Sequence, residues 1–173
     1  MIRVLSVGKG SYENNSELCL VSRAFGASGI SFSTKKDTRL ARFVSSNNAK
    51  WGGSFSVDFD SEYLRALSSP GSYKRVYLTR YGLPLHDAIS ALRTYKNLLL
   101  IVTDREAFGP VSKRADFNIG ISTQPHSSAS AIALFLHEFY SGRELAMHFE
   151  NARYKVVPSE RGAHVEKAAH ARQ

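Results

Sequence analysis

The residue types best suited to chemistry lie in one polar turn, Gln124-Pro125-His126-Ser127. The turn offers an amide, an imidazole and a hydroxyl, which can hold a ligand through neutral hydrogen bonds. It follows an apolar run at 117–121 and leads into a second one at 129–140. A turn between a strand and a helix lies at the carboxyl end of the strand, where open α/β sheets bind ligands. The turn lacks the glycine spacing of either phosphate-binding loop, so we expect a ligand held by backbone and neutral polar groups.

The elements that must position this turn follow from apolar runs that alternate with helical segments, the pattern of βαβ units in a mainly parallel sheet. The predicted strands cover 2–7, 29–33, 54–59, 75–78, 98–102 and 117–121. The predicted helices cover 16–25, 37–47, 61–67, 85–93 and 127–140, with Ser16 and Ser127 as N-caps and Gly26 and Gly142 as terminators. The sequence therefore predicts an α/β fold, a mainly parallel sheet flanked by helices.

Polar or glycine-containing turns follow the last three predicted strands, at 79–82, 103–110 and 122–127. The carboxyl ends of parallel strands share one edge of a sheet, so these turns can converge on a single ligand. Every α/β protein has such turns, which leaves a purely structural role open.

The chain is basic, with 23 Lys and Arg against 15 Asp and Glu and a net charge of +8. Such an excess is typical of nucleic-acid-binding domains, although many basic proteins bind no nucleic acid. One basic group begins the second predicted helix and another flanks the fourth predicted strand. The residues of these groups that are placed to contact phosphates are Lys35, Lys36, Arg39, Arg42 and Arg80, and the family resemblance described below favours RNA as their partner. A solvated helix face is the alternative explanation.

Composition excludes several other classes of protein. At 173 residues and 43% hydrophobic content, we expect a single domain over 1–158 followed by a polar tail over 159–173. No run approaches the ~20 apolar residues of a membrane span, and the first residues resemble a strand rather than a signal peptide. Cys19 is the only cysteine, and the six histidines show no zinc-ligand spacing. We therefore expect a cytoplasmic protein without a disulfide or a metal.

Five short sequence blocks are specific enough to be compared with a known protein family. They are Arg23-Ala24-Phe25-Gly26-Ala27, Lys50-Trp51-Gly52-Gly53-Ser54-Phe55, Tyr77-Leu78-Thr79-Arg80-Tyr81-Gly82, Gln124-Pro125-His126-Ser127 and Val156-Val157-Pro158. In their order and spacing, over most of residues 1–162, they resemble the archaeal tRNA (cytidine-56-2′-O)-methyltransferase family of the SPOUT superfamily. One such block would be weak evidence, whereas five in order make the resemblance specific.

The resemblance implies an enzyme that uses S-adenosylmethionine to methylate the ribose 2′-hydroxyl of cytidine 56 in the TΨC loop of tRNA. It implies a SPOUT-type fold whose C-terminal part forms a deep trefoil knot, a rare exception to the rule against threaded chains. It also implies a homodimer with its active site near the subunit interface. Methyl transfer from a sulfonium to a hydroxyl needs no metal.

The resemblance further implies that the three turns hold the cofactor. The implied contacts are Leu78, Tyr81, Gly82, Val102, Thr103, Asp104, Arg105, Glu106, Ile121, Ser122, Thr123, Gln124, Pro125, His126, Ser127 and Ser128. We expect Arg23 to be catalytic or to orient a phosphate beside the target ribose, with a salt bridge or helix-end contact as its structural alternative. His126 either donates to the methionine carboxylate or caps a helix, and Tyr81 either stacks on adenine or packs. Trp51 is expected to be architectural.

Two cofactor loops depart from the family pattern. Thr103-Asp104-Arg105 stands where the family carries Gly-Ala-Glu, and Ser122-Thr123 stands where it carries Gly-Asn. A lost glycine can obstruct the approach of a backbone to a ligand. The departures keep a second hypothesis open, a catalytically degenerate SPOUT-fold protein that binds RNA.

Overall fold

The computed structural model describes residues 1–68, 71–104 and 109–168. Seven parallel strands form one sheet in the order β3-β2-β1-β6-β4-β7-β5. The strands are β1 Ile2–Val7, β2 Gly29–Phe32, β3 Ser56–Phe59, β4 Lys74–Thr79, β5 Leu83–Pro84, β6 Leu98–Thr103 and β7 Phe117–Gly120. The predicted α/β class with a mainly parallel sheet is confirmed.

Helices cover both faces of this sheet. They are α1 Tyr12–Ala24, α2 Thr38–Trp51, α3 Tyr63–Ser68, α4 Leu85–Leu92, α5 Gly109–Ser112 and α6 Ser128–Tyr140, followed by a 3-10 turn at Arg143–Ala146. The larger core joins α1, α2, α4 and α6 to one face, with Leu40 and Ile132 fully buried. On the other face Leu67 of α3 and Val111 of α5 pack against Tyr77 and Ile101. Within the described ranges, no helix combines the length and apolar character needed to cross a membrane.

The predicted N-cap of the first helix is wrong by more than one turn. Ser11 caps α1 and accepts a hydrogen bond from the Asn14 N–H at 3.2 Å. Ser16 lies inside the helix, where its hydroxyl donates to the Tyr12 carbonyl at 2.8 Å. The apolar pattern starts only at Leu18, so a polar first turn looked like a loop. Ser127 is confirmed as the N-cap of α6, since its hydroxyl accepts from the Ser130 N–H at 3.0 Å.

A C-terminal hairpin follows the main sheet. Its antiparallel strands are β8 Tyr154–Val156 and β9 Val165–Lys167. The segment after Pro158 is exposed, yet β9 pairs with β8, so part of the expected tail has regular structure. The end of that tail, 169–173, lies outside the described residues, and a domain boundary at 158 stays a prediction.

Candidate active site

A pocket of about 260 Å³ lies at the carboxyl ends of β4 and β6. Three segments form its walls: the end of β4 with the turn after it, the end of β6 with the residue after it, and the turn that enters α6. Its lining residues are Tyr77, Leu78, Thr79, Arg80, Tyr81, Val102, Thr103, Asp104, Pro125, His126, Ser127, Ser128 and Ala131. All three turns singled out in the sequence thus contribute to one pocket.

The pocket brings together most of the residues expected to contact a cofactor: Leu78, Tyr81, Val102, Thr103, Asp104, Pro125, His126, Ser127 and Ser128. Others expected there do not line it: Gly82, Ile121, Ser122, Thr123 and Gln124. Arg105 and Glu106 lie outside the described residues. Sequence reasoning missed Tyr77, Thr79 and Ala131 as lining residues and placed Arg80 only in RNA binding. Alternation along β4 and helical spacing after Ser127 were the signals that could have found the missed residues.

The residues beside the pocket have local structural roles. The Ser122 hydroxyl accepts from the Gln124 N–H at 3.1 Å, which closes the turn. The Gln124 carbonyl in turn lies 2.8 Å from His126 Nδ1. A Cβ on Gly82 would lie 2.3 Å from the Asn118 carbonyl oxygen, so glycine is needed there for the backbone to approach β7.

The bond to Gln124 decides which nitrogen of His126 carries the proton. A carbonyl oxygen only accepts, so Nδ1 must donate to it. In the neutral imidazole Nε2 is then left as an acceptor, and in the charged form it becomes a second donor. His126 also lies beside the first turn of α6, where the helix dipole favours negative charge. The charged imidazole, which donates from Nε2, and the helix terminus together suit a carboxylate group, whereas the neutral ring offers it no donor.

The substituted loop positions that the structure describes, 103, 104, 122 and 123, place no strain on the backbone. Among the described residues, the non-glycine residues with positive φ are Ser141 and Asn151. Thr103 and Ser122 therefore occupy conformations open to any residue, and glycine is not required there for backbone reasons. The Thr103 hydroxyl lies 3.0 Å from the Tyr77 hydroxyl.

Basic side chains lie along the same edge of the sheet. Lys35 and Lys36 follow β2 and are exposed, and Lys9, which was not predicted, follows β1. The Lys9 N–H donates to an Asp104 carboxylate oxygen at 3.0 Å, which joins the loop after β1 to the pocket. Arg39 is exposed, and its guanidinium lies 3.6 Å from the centroid of the Tyr12 ring. The exposed side chain of Arg42 lies one turn further along α2.

Arg23 does not line this pocket. It is 9% exposed in the last turn of α1, where Nη2 donates to the Gly52 carbonyl at 2.6 Å and Nε to Asn48 Oδ1 at 3.3 Å. Burial lowers the pKa of its guanidinium. The chain that leaves α1 meets the start of β1, since the Ser28 N–H donates to the Ile2 carbonyl at 2.8 Å. Arg23 therefore lies at the amino edge of the sheet, opposite the pocket, where it lines a second, larger groove.

The fold has well-defined counterparts among solved structures. An RNA 2′-O ribose methyltransferase superposes with a TM-score of 0.61 at 16% identity, over 82% of this chain and 56% of that one. The SpoU methyltransferase AviRb from Streptomyces viridochromogenes, solved in complex with the cofactor AdoMet, gives 0.58 at 18%, over 82% and 57%. The A. aeolicus TrmH/SpoU tRNA modifying enzyme gives 0.59 at 15%, over 83% and 75%. These likenesses define the class, a SPOUT-type methyltransferase fold.

Sequence comparison identifies the family to which the chain belongs within that class. Residues 51–166 match the family model described as tRNA ribose 2′-O-methyltransferase, aTrm56. The tRNA (cytidine(56)-2′-O)-methyltransferase of Methanopyrus kandleri is 40% identical over 154 residues, 87% of this chain and 85% of that protein. The one from Nitrosopumilus maritimus is 31% identical over 171 residues, 96% of each. The chain belongs to the Trm56 family of tRNA ribose 2′-O-methyltransferases. The trefoil knot stays a prediction.

Proposed function

We propose that this protein transfers the methyl group of S-adenosylmethionine to the ribose 2′-hydroxyl of cytidine 56 in the TΨC loop of tRNA. The observation that carries the proposal is the convergence of three strand-end turns on one pocket in a member of this family. The relatives named above are cytidine-56 methyltransferases, which supports the choice of nucleotide.

The lining of the pocket suits S-adenosylmethionine. Leu78, Val102 and Ala131 offer apolar surface for the adenosine. His126 and the first turn of α6 suit the methionine carboxylate. The Thr103 hydroxyl and the Asp104 carboxylate are acceptors of the kind that ribose hydroxyls need. When bound, the cofactor supplies an electrophilic methyl group on a sulfonium, which is a good leaving group.

The protein must also position the ribose and manage the proton of its hydroxyl. A guanidinium can hold the neighbouring phosphate in a fixed orientation and stabilise negative charge as the hydroxyl reacts. Arg23 is our candidate for that role. Because it lies at the sheet edge opposite the pocket of its own chain, we propose that a second copy brings its Arg23 to this pocket. Exposed Leu20 and Leu134, on the adjoining helices α1 and α6, support such a homodimer.

Titration calorimetry and methyl-transfer assays test the proposal. We expect the protein to bind S-adenosylmethionine and His126→Ala to weaken that binding about tenfold, since a hydrogen bond to a charged group is lost. His86→Ala is the matched control, because His86 is 82% exposed, lies in the first turn of α4 and does not line the pocket. Equal losses of S-adenosylmethionine affinity in the two variants would show that His126 does not contact the cofactor.

Methyl transfer to an unmodified tRNA transcript is then expected to stop when cytidine 56 is replaced. Methylation of the replaced transcript at an unchanged rate would contradict the assigned nucleotide. Retention of tRNA without cofactor binding at millimolar ligand would instead support the alternative, a degenerate SPOUT-fold protein that binds RNA.

A further inference from the structure

A groove of about 1240 Å³ lies at the amino edge of the sheet and is larger than the pocket at the carboxyl edge. It runs between the end of α2 and the C-terminal hairpin, away from the cofactor pocket. Six of its lining residues are aromatic rings or cations: Arg23, Trp51, Phe149, Arg153, Tyr154 and Lys155. Aliphatic side chains, among them Leu145, Met147 and Val156, line it as well. No aspartate or glutamate is among the described residues that line it.

Backbone hydrogen bonds fix the walls of this groove. The Arg153 N–H donates to the Lys50 carbonyl at 3.1 Å, and the Gly53 N–H donates to the Glu150 carbonyl at 2.8 Å. These two bonds attach the segment before the hairpin to the end of α2. The groove is therefore formed before any ligand binds, which lowers the entropic cost of binding.

The cations and the rings of the groove favour one class of ligand. Arg153 and Lys155 are exposed and adjoin the partly buried rings of Trp51 and Tyr154, whose centroids lie 6.4 Å apart. Phosphates pair with exposed cations, and unpaired bases stack or pack on aromatic rings. A double helix offers only phosphates and groove edges to such a surface, because its bases are already stacked. The ligand that uses both features is single-stranded nucleic acid.

We propose that this groove binds a single-stranded segment of the tRNA substrate, in addition to the nucleotide that is methylated. The inference rests on the proposed function for the identity of the RNA. The charge of the groove and its aromatic rings carry it independently of the cofactor pocket. In this arrangement Arg153 and Lys155 bind phosphates, while Trp51 and Tyr154 contact bases.

Removal of the two exposed cations tests the phosphate contacts. We expect the double variant Arg153→Ala/Lys155→Ala to lose at least about tenfold in affinity for tRNA near physiological salt. The slope of log affinity against log salt is expected to fall by about 1.4, because each of the two lost phosphate contacts to a single strand contributes about 0.7. Lys113→Ala is the matched control, an exposed lysine just after α5 on the other face of the sheet. An unchanged salt slope in a folded double variant would overturn the proposal.

Trp51 provides a direct second measurement, because it is the only tryptophan of the chain. We expect its fluorescence to change when a TΨC stem-loop RNA is titrated into the wild-type protein, and to be unaffected by S-adenosylmethionine alone. Emission that does not respond to saturating RNA would overturn the proposal. The titration is made at a protein concentration above which the emission of Trp51 is constant, so that association of two copies is not counted as RNA binding.

The two measurements separate this inference from the proposed function. Cofactor affinity, measured by calorimetry, is expected to be the same in the double variant and in the wild type. If the protein binds RNA at Trp51 but fails to methylate any tRNA, the proposed function is refuted and the proposal that the groove binds RNA is supported. If it methylates cytidine 56 while the double variant keeps its tRNA affinity, the proposal that the groove binds RNA is refuted and the proposed function is supported.

Discussion

Arg23 connects the end of α1 to the end of α2 through bonds to Gly52 and Asn48, and its guanidinium lies 4.5 Å from the centroid of the Phe149 ring. These contacts fix the guanidinium in place before a substrate arrives, so little side-chain entropy remains to be lost when it binds a phosphate. The structural role that its sequence left as one alternative is therefore present, and the functional role proposed above does not exclude it. Its replacement is expected to affect packing as well as catalysis.

Cys19, one turn before Arg23 in α1, allows a test of this packing. Its side chain is 2% exposed, and burial raises the pKa of the thiol from 9.0 to about 12. We expect almost no reaction with a thiol reagent in the native protein at pH 8, and rapid reaction in urea. The same shift predicts that the free energy of unfolding falls as pH rises above about 9, since only the unfolded thiol then ionises. Equal labelling rates with and without urea would contradict the burial of α1 against the sheet.

The strands of the central sheet show how well the bounds of secondary-structure elements can be predicted from the sequence. Apolar patterns predicted β1 to the residue, and β6 and β7 to within one residue at their ends, and only β6 is a continuous run of Leu, Ile and Val. Burial on both faces makes such runs continuous, so they can be recognised without tertiary information. The strand β5 was missed because Leu83–Pro84 is too short to form a pattern. The hairpin was missed because its strands are three residues long and exposed.

The site was less predictable than the sheet for a geometric reason. Topology places turns on a shared edge, but it does not say which side chains point into the pocket. Ser122 and Gln124 belong to the predicted turn, yet they stabilise its backbone. Arg23 belongs to a block that resembles the family and lies near the end of the predicted helix at 16–25. The βαβ order alone would place it at the edge of the sheet opposite the turns, because that helix returns the chain to the amino end of the next parallel strand.

The Trp51-Gly52-Gly53 block follows the end of α2, and the need for glycine at position 52 can be tested by substitution. Gly52 has φ +80°, and a Cβ there would lie 2.5 Å from the Glu150 carbonyl oxygen. Gly52→Ala is therefore expected to lower the free energy of unfolding by about 3 kcal/mol, through backbone strain and a clash with backbone. Gly162→Ala is the control, because Gly162 has φ +81° with no atom near its Cβ, and we expect a loss of about 1 kcal/mol. Urea unfolding measures the free energy of unfolding of both variants. Equal losses in the two would contradict the close approach of residues 149–150 to Gly52.

At the scale of the whole molecule, the two candidate binding regions lie at opposite edges of one sheet. The six-residue strands that separate these edges span about 20 Å. One chain therefore cannot present its own Arg23 and its own cofactor pocket to the same ribose. The homodimer proposed above would do so twice, since an isologous interface that brings one groove beside the pocket of the other copy also makes the reciprocal contact. The basic residues at the carboxyl edge and the groove at the amino edge would then belong to a single tRNA-binding surface.

Mixing two inactive variants tests this composite site. Arg23→Ala removes the guanidinium, and Ser128→Trp fills the cofactor pocket with a large ring at a residue that lines it. We expect each variant alone to be inactive. After unfolding and refolding together in equal amounts, half of the dimers are mixed, and each mixed dimer has one intact site of two. Activity should therefore return to about a quarter of the wild-type value. Adding Leu20→Glu and Leu134→Glu to both variants is the control, since charges on this apolar surface should keep the chains monomeric and prevent recovery. Dimers seen by light scattering without any recovered activity would show that Arg23 does not act in the pocket of a second copy.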